Sequence, residues 1–98
     1  MVTHPFPRTE RATEIAIEAL SFLAADAERL SGFMSLSGID PGELRKAAQN
    51  PGFFPAVLDF VCADEAILHA FSAQAGHSPE IIDHARQVLH GPQPDWGA

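Results

Sequence analysis

Leu20-Ser21-Phe22-Leu23-Ala24-Ala25-Asp26 and Leu58-Asp59-Phe60-Val61-Cys62-Ala63-Asp64 share the pattern Leu-x-Phe-x-x-Ala-Asp at an offset of 38 positions. The agreement extends outward from these two stretches. Leu30 falls on Leu68, Phe33 on Phe71, Gly38 on Gly76, Pro41 on Pro79, Ala47 on Ala85 and Gln49 on Gln87. That makes about ten identities in an ungapped 38-residue window, where composition alone gives roughly two or three. Apolar periodicity and Gly-x-x-Pro punctuation recur in any two helix-turn-helix segments. Here the core spacings and the punctuation agree together, which favours duplication. The reading is an internal repeat of residues 12–49 and 50–87, with equivalent helices expected in the same order.

Helical spacing fills each copy. Ile15, Ala16, Ala19, Leu20, Phe22 and Leu23 form one face of a helix from about residue 10 to 25, with Thr9 able to cap it. Leu30, Phe33, Met34 and Leu36 suit a second helix over 27–37, capped by Asp26 and stopped by Gly38. Asp40-Pro41-Gly42-Glu43 reads as a third start, with Asp40 as cap, Pro41 in first position and Glu43 in the place of a capping-box acid. Asn50-Pro51-Gly52 breaks the chain. An apolar helix follows from near Phe53, since Pro55 fits only within a first turn. Asp64 caps the next helix and Gly76 ends it. Ser78-Pro79-Glu80 opens the last, whose face is Ile81, Ile82, Ala85, Val88 and Leu89. The expected fold is all-α: a compact array of two tandem three-helix units, five to six helices in all, in the manner of a short α-solenoid. It forms a single domain over 1–98. The proline-containing arms 1–8 and 91–98 are expected to be flexible tails.

Composition narrows the function. The net charge is −7, with six Lys and Arg scattered among thirteen acids. Affinity for nucleic acid and for anionic membranes comes from clustered cations, so neither is expected as a partner. Basic protein surfaces remain open. No signal-peptide-like start or spanning apolar run is present, and the expected location is cytoplasmic. The lone Cys62 rules out an intramolecular disulfide and a thiolate zinc site, and it sits in an apolar run where a thiol packs as a small hydrophobe. The sequence does not choose between monomer and homodimer.

Chemistry-bearing patterns are sparse. Glu65 and His69 stand four apart on a helix beside Asp64, a spacing that can present metal ligands on one face, but the second histidine of His-Glu-x-x-His is missing. The competing reading is a solvated outer face, with Asp64 occupied as a cap. His84 and His90 are six apart, a poor same-face spacing; His90 suits a helix C-terminus. No serine pairs with a histidine, and no glycine-rich phosphate loop is present. The chain is expected not to be an enzyme and to use no cofactor. Phe54 and Trp96 are candidate partner contacts. The first reading is a small cytoplasmic protein-protein interaction module linked to signalling. The alternative is a small metal- or ligand-binding protein using Asp64, Glu65 and His69.

Ala19-Leu20-Ser21-Phe22-Leu23-Ala24, Gly38-Ile39-Asp40-Pro41, Pro51-Gly52-Phe53, Val57-Leu58-Asp59-Phe60, Ala63-Asp64-Glu65 and Ser78-Pro79-Glu80 occur in this order. The chain thereby resembles a family of small alphaproteobacterial helical proteins, the domain of unknown function family 3572. The resemblance covers all but the tails. Pro55 departs from it, at a position where a residue suited to a helix interior is expected. The resemblance implies no established activity. It does imply a signalling partner, a single-domain response regulator being the first candidate.

Overall fold

A computed structural model describes residues 9–90, and the fold is all-α. Six helices follow in order: α1 (Thr9–Ala24), α2 (Ala27–Ser37), α3 (Leu44–Ala47), α4 (Phe53–Ala63), α5 (Glu65–Ala75) and α6 (Pro79–Leu89). A 3-10 turn at Pro41–Glu43 precedes α3. Both terminal arms, and with them Trp96, lie outside the described residues.

Helix boundaries are written in the backbone chemistry of single residues. Asp26 and Asp64 are both extended, with φ −129° and −116°, and each carboxylate accepts from the backbone N–H groups two and three residues on. The closer bond is 2.9 Å in both cases. Each caps two of the amides that a helix start leaves without an internal partner. Gly38 and Gly76 terminate the same two helices with φ of 71° and 77°, the left-handed region that glycine enters without strain. Hence α2 and α5 have equal length and equivalent caps. Ser78 starts α6 by accepting from the Ile81 amide at 3.2 Å, with Pro79 in the first turn. Pro55 is the third residue of α4, where its missing N–H has no helical partner to lose, and its side chain is buried.

The third elements of the two halves differ. Asp40 is not a side-chain cap, which corrects the expectation from sequence. Its backbone carbonyl accepts from the Glu43 amide at 2.8 Å and closes a 3-10 turn. That bond takes the Glu43 amide, one of the two that an Asp40 side-chain cap would use. The α-conformation begins at Leu44, with Glu43 in the capping position and no side-chain cap bond. The resulting α3 has four residues, none of them buried, whereas α6 has eleven and buries Ile82 and Ala85.

One core serves the whole domain. Along α1, Ala12, Ile15, Ala16, Ala19, Phe22 and Leu23 form its apolar stripe, all buried. Three of the six are alanines, small enough for neighbouring helices to approach closely. The most extensive helix contact joins α1 to α6, so the first and last helices of the described chain close against each other. Helix α4 completes a three-helix centre with Phe53, Val57, Leu58 and Val61. Helices α2 and α5 each follow their preceding helix and pack against it. Phe33 meets Phe53 and Phe60 edge-on at centroid distances of 5.8 and 5.7 Å, and Phe22 meets Phe71 at 5.4 Å. These rings tie α2 to α4 and α1 to α5. Each fully buried Ile, Leu or Phe contributes about 1.5–3 kcal/mol.

The caps give a paired test. Asp64→Ala should cost about 1 kcal/mol, lowering Tm by roughly 4–8 °C. Asp40→Ala should stay within about 0.5 kcal/mol of wild type, since its carboxylate caps nothing. Equal effects in thermal melts followed by circular dichroism would contradict this assignment.

Candidate interaction face

Two neighbouring features on α4 define the candidate site: an apolar groove shared with α2 and a polar seam shared with α6. Both follow from helical spacing. Ala56, Asp59, Phe60 and Ala63 lie at i, i+3, i+4 and i+7 and form one stripe of α4. Against them stand Leu36 and Ser37 at the end of α2, and together these six residues enclose about 390 Å³. Gly32, one turn before Leu36, faces the Phe60 ring, whose tip lies 3.5 Å from where a Cβ would stand, an ordinary contact distance. Leu36 is 80% exposed, the most exposed large hydrophobic side chain among the described residues.

The polar seam is a second stripe at the same spacing. Asp83, Arg86, Gln87 and His90 follow one another along α6 at i, i+3, i+4 and i+7. Asp83 accepts from Arg86 Nε at 3.0 Å and Nη2 at 2.8 Å, and from Gln87 at 2.8 Å. Arg86 Nη1 also lies 3.6 Å from Asp59 of α4. His90 Nε2 reaches both oxygens of the same Asp59, at 2.8 and 3.0 Å. Asp59 therefore belongs to both features. The Arg86 hydrogen bonds hold the Asp83 carboxyl below its usual value, and the same pairing raises Arg86.

Cys62 lies beside this seam, half-buried. Burial pushes its thiol up to about 11, with the Asp83 charge acting in the same direction and Arg86 against it. A thiol so disposed is neutral at physiological pH and is no activated nucleophile.

The residues singled out from sequence lie elsewhere. Asp64, Glu65 and His69 are exposed at the start of α5, and the Asp64 carboxylate is engaged by the Ala66 and Ile67 amides. Among the described residues, no three His, Cys, Asp or Glu side chains are grouped to hold a metal ion. Phe54 is partly buried and stacks edge-on with Phe53 at 5.5 Å. Trp96 lies outside the described residues. His77, for which the sequence suggested no role, bonds Glu18 of α1 through Nε2 at 2.8 Å with its side chain 11% exposed, and so fastens the α5–α6 turn to the first helix. Both inter-helix histidine pairs were invisible to local spacing, because the partners are 59 and 31 residues apart.

Comparison with known proteins gives one result. Residues 9–92 match the family described as "Protein of unknown function (DUF3572)", and the chain belongs to that family. No curated protein and no solved structure gives a significant match. The matched span includes the groove, the seam and all six helices. No helix among the described residues is long and apolar enough to cross a membrane.

Two measurements test the seam. At pH 8, Cys62 should carry roughly a hundredfold less thiolate than a thiol at the ordinary value of 9.0 and alkylate correspondingly slowly. Iodoacetamide labelling at the rate of a free cysteine would refute that. Asp83 has the opposite sign of linkage: its carboxyl is depressed below 3.8, so its contribution is present above that value and is lost as pH falls through the lower folded value. Asp83→Asn should lower stability at pH 7 by less than about 1 kcal/mol, the pair being partly exposed. The gap to wild type should narrow as pH falls below the ordinary carboxylate range and Asp83 takes up its proton; a gap that stays constant down to full protonation would show that the loss is not electrostatic.

Proposed function

We propose that this domain is a protein-interaction module, acting by binding without catalysis, and that the groove between α2 and α4 with Leu36 at its mouth is its docking surface. The observation that carries the reading is Leu36. An 80% exposed leucine beside a groove walled by Ala56, Phe60 and Ala63 is apolar surface that a partner could cover. The module works in the cytoplasm. Its partner offers an apolar anchor for the groove and, around it, basic groups suited to a domain of net charge −7. A response regulator is the first partner to test, on the strength of the family resemblance. The metal-binding alternative lacks comparable support, since Asp64 is occupied as a cap and, among the described residues, Glu65 and His69 have no third ligand grouped with them.

Calorimetric titration of purified response regulators from the host into the domain tests this reading. Leu36→Asp should weaken binding at least tenfold, about 1.4 kcal/mol, while the Glu65→Ala, His69→Ala double variant should bind like wild type. Neither DNA nor RNA should bind at moderate salt. Binding indifferent to Leu36, or stoichiometric metal lost in the double variant, would overturn the proposal.

A further inference from the structure

Helix α2 packs against α1 and α4, and a long face of it remains open. Ala27, Ser31 and Ser35 follow one another at i, i+4 and i+8 as an exposed ridge, which Gly38 continues. Beside the ridge, Leu30 and Ile39 are half-buried and Met34 is buried. With Asp40, these residues line a groove of about 530 Å³ along the helix. It is separate from the groove at Leu36. Nine residues divide Ala27 from Leu36, about two and a half turns, so the two side chains stand on opposite sides of α2.

Shape and charge point to one kind of occupant. The ridge side chains are small, so a second helix can lie close along α2 and bring its apolar side chains down onto Leu30, Met34 and Ile39. Met34 is flexible and polarisable and adapts to what packs on it. From Ala27 to Gly38 the groove runs for about 16 Å, three turns of such a helix. Charge sits at one end only. Among the described residues that line the groove, Asp40 alone is charged. It follows the C-terminus of α2, where the helix dipole is negative. Only its backbone carbonyl is engaged, and among the described residues its carboxylate pairs with no cation. The hollow on the far side of Ile39 holds both Glu43 and Lys46, so the one-signed character belongs to the groove along α2. A second copy of the chain is a poor occupant, because two domains of charge −7 repel each other. We infer that this groove receives an amphipathic helix of a protein partner, with aliphatic side chains on Leu30, Met34 and Ile39 and a Lys or Arg at the end that meets Asp40. The docking proposed at Leu36 uses the other side of α2, and the two surfaces act independently.

The probe is a synthetic helical peptide of about 18 residues, with leucines along one face and two arginines beyond the last leucine. The control is a peptide of the same composition in scrambled order. Titrated into the isotope-labelled full chain, the probe should bind one to one and shift the amide resonances of residues 27–40 far more than those of 56–63. Ser31→Arg sets bulk and like charge on the ridge and should weaken binding at least tenfold; Asp40→Asn should weaken it about threefold. Both positions are exposed, and the helical circular dichroism should not change. Leu36→Asp should bind the probe like wild type, so failure here and failure of the docking proposed at Leu36 are read from different variants. Absence of saturable binding would overturn the inference, as would shifts centred on 56–63, equal binding of the scrambled peptide, or indifference to Ser31→Arg and Asp40→Asn. Shifts at 27–40 that depend on protein concentration without peptide, with a dimer detected by light scattering, would give the groove to a second copy and likewise overturn it.

Discussion

Ile82 and Ala85 of α6 have no exposed surface, and the helix that carries them packs on both α1 and α4. This seating is the constraint on which the rest of the domain depends. Helices of eleven residues are marginal in water on their own, so their stability comes from burying an apolar face against a neighbour. The α1 stripe, half of it alanine, is shallow enough for α6 to come close and long enough to be covered by α4 as well. Closing the last helix on the first turns a linear succession of helices into a globule with a shared core. The His77–Glu18 pair fastens the turn that delivers α6 to that position, and Ser72 donates to the His77 carbonyl within the same turn.

The polar seam follows from the same seating. On an 11-residue helix whose core-facing residues include Ile82 and Ala85, positions 83, 86, 87 and 90 fall on an adjoining stripe. They meet α4 at its own border, where Asp59 and Cys62 stand. Arg86 is shared between an intrahelical acid and one across the interface, and His90 binds the latter. These pairs are partly exposed and contribute modestly to stability. Their larger consequence is orientation: the end of α6 is held against α4 at Asp59, which fixes where the following chain departs.

Much of this was legible in the sequence because it is local. Asp26, Asp64 and Ser78 act on amides two or three residues away, and Gly38 and Gly76 act on their own backbone, so pattern and chemistry coincide. Asp40 carried the same signal and behaves differently, because a 3-10 turn closed by its carbonyl competes with capping by its side chain. A local pattern does not say which of two local bonds is made. The candidate face was not legible. Leu36 lies on the helical spacing of α2 and reads as core, yet it is left exposed. Asp59, Arg86 and His90 come from two helices, and only the tertiary path joins them. Glu65 and His69, which drew attention in the sequence, stand four apart on one helix, and among the described residues they belong to no group of three side chains that could hold a metal ion.

The contrast between the two halves explains why a groove exists at all. The last helix, α6, has an apolar neighbour in α1 and another in α4, whereas α3 buries no residue. The first half is left with a 3-10 turn and four helical residues, of which Leu44 and Ala47 are only partly buried against the core. Such a short element has too little apolar area to extend over α2. Helix α2 consequently packs on α1 and touches α4 mainly through the Phe33 and Phe60 rings near Gly32. Leu36 stands 80% exposed, and the stripe from Ala56 to Ala63 lines the open groove beside it. The open apolar face thus lies where the end of α2 meets α4, beside a short third element in the first half and an eleven-residue one in the second.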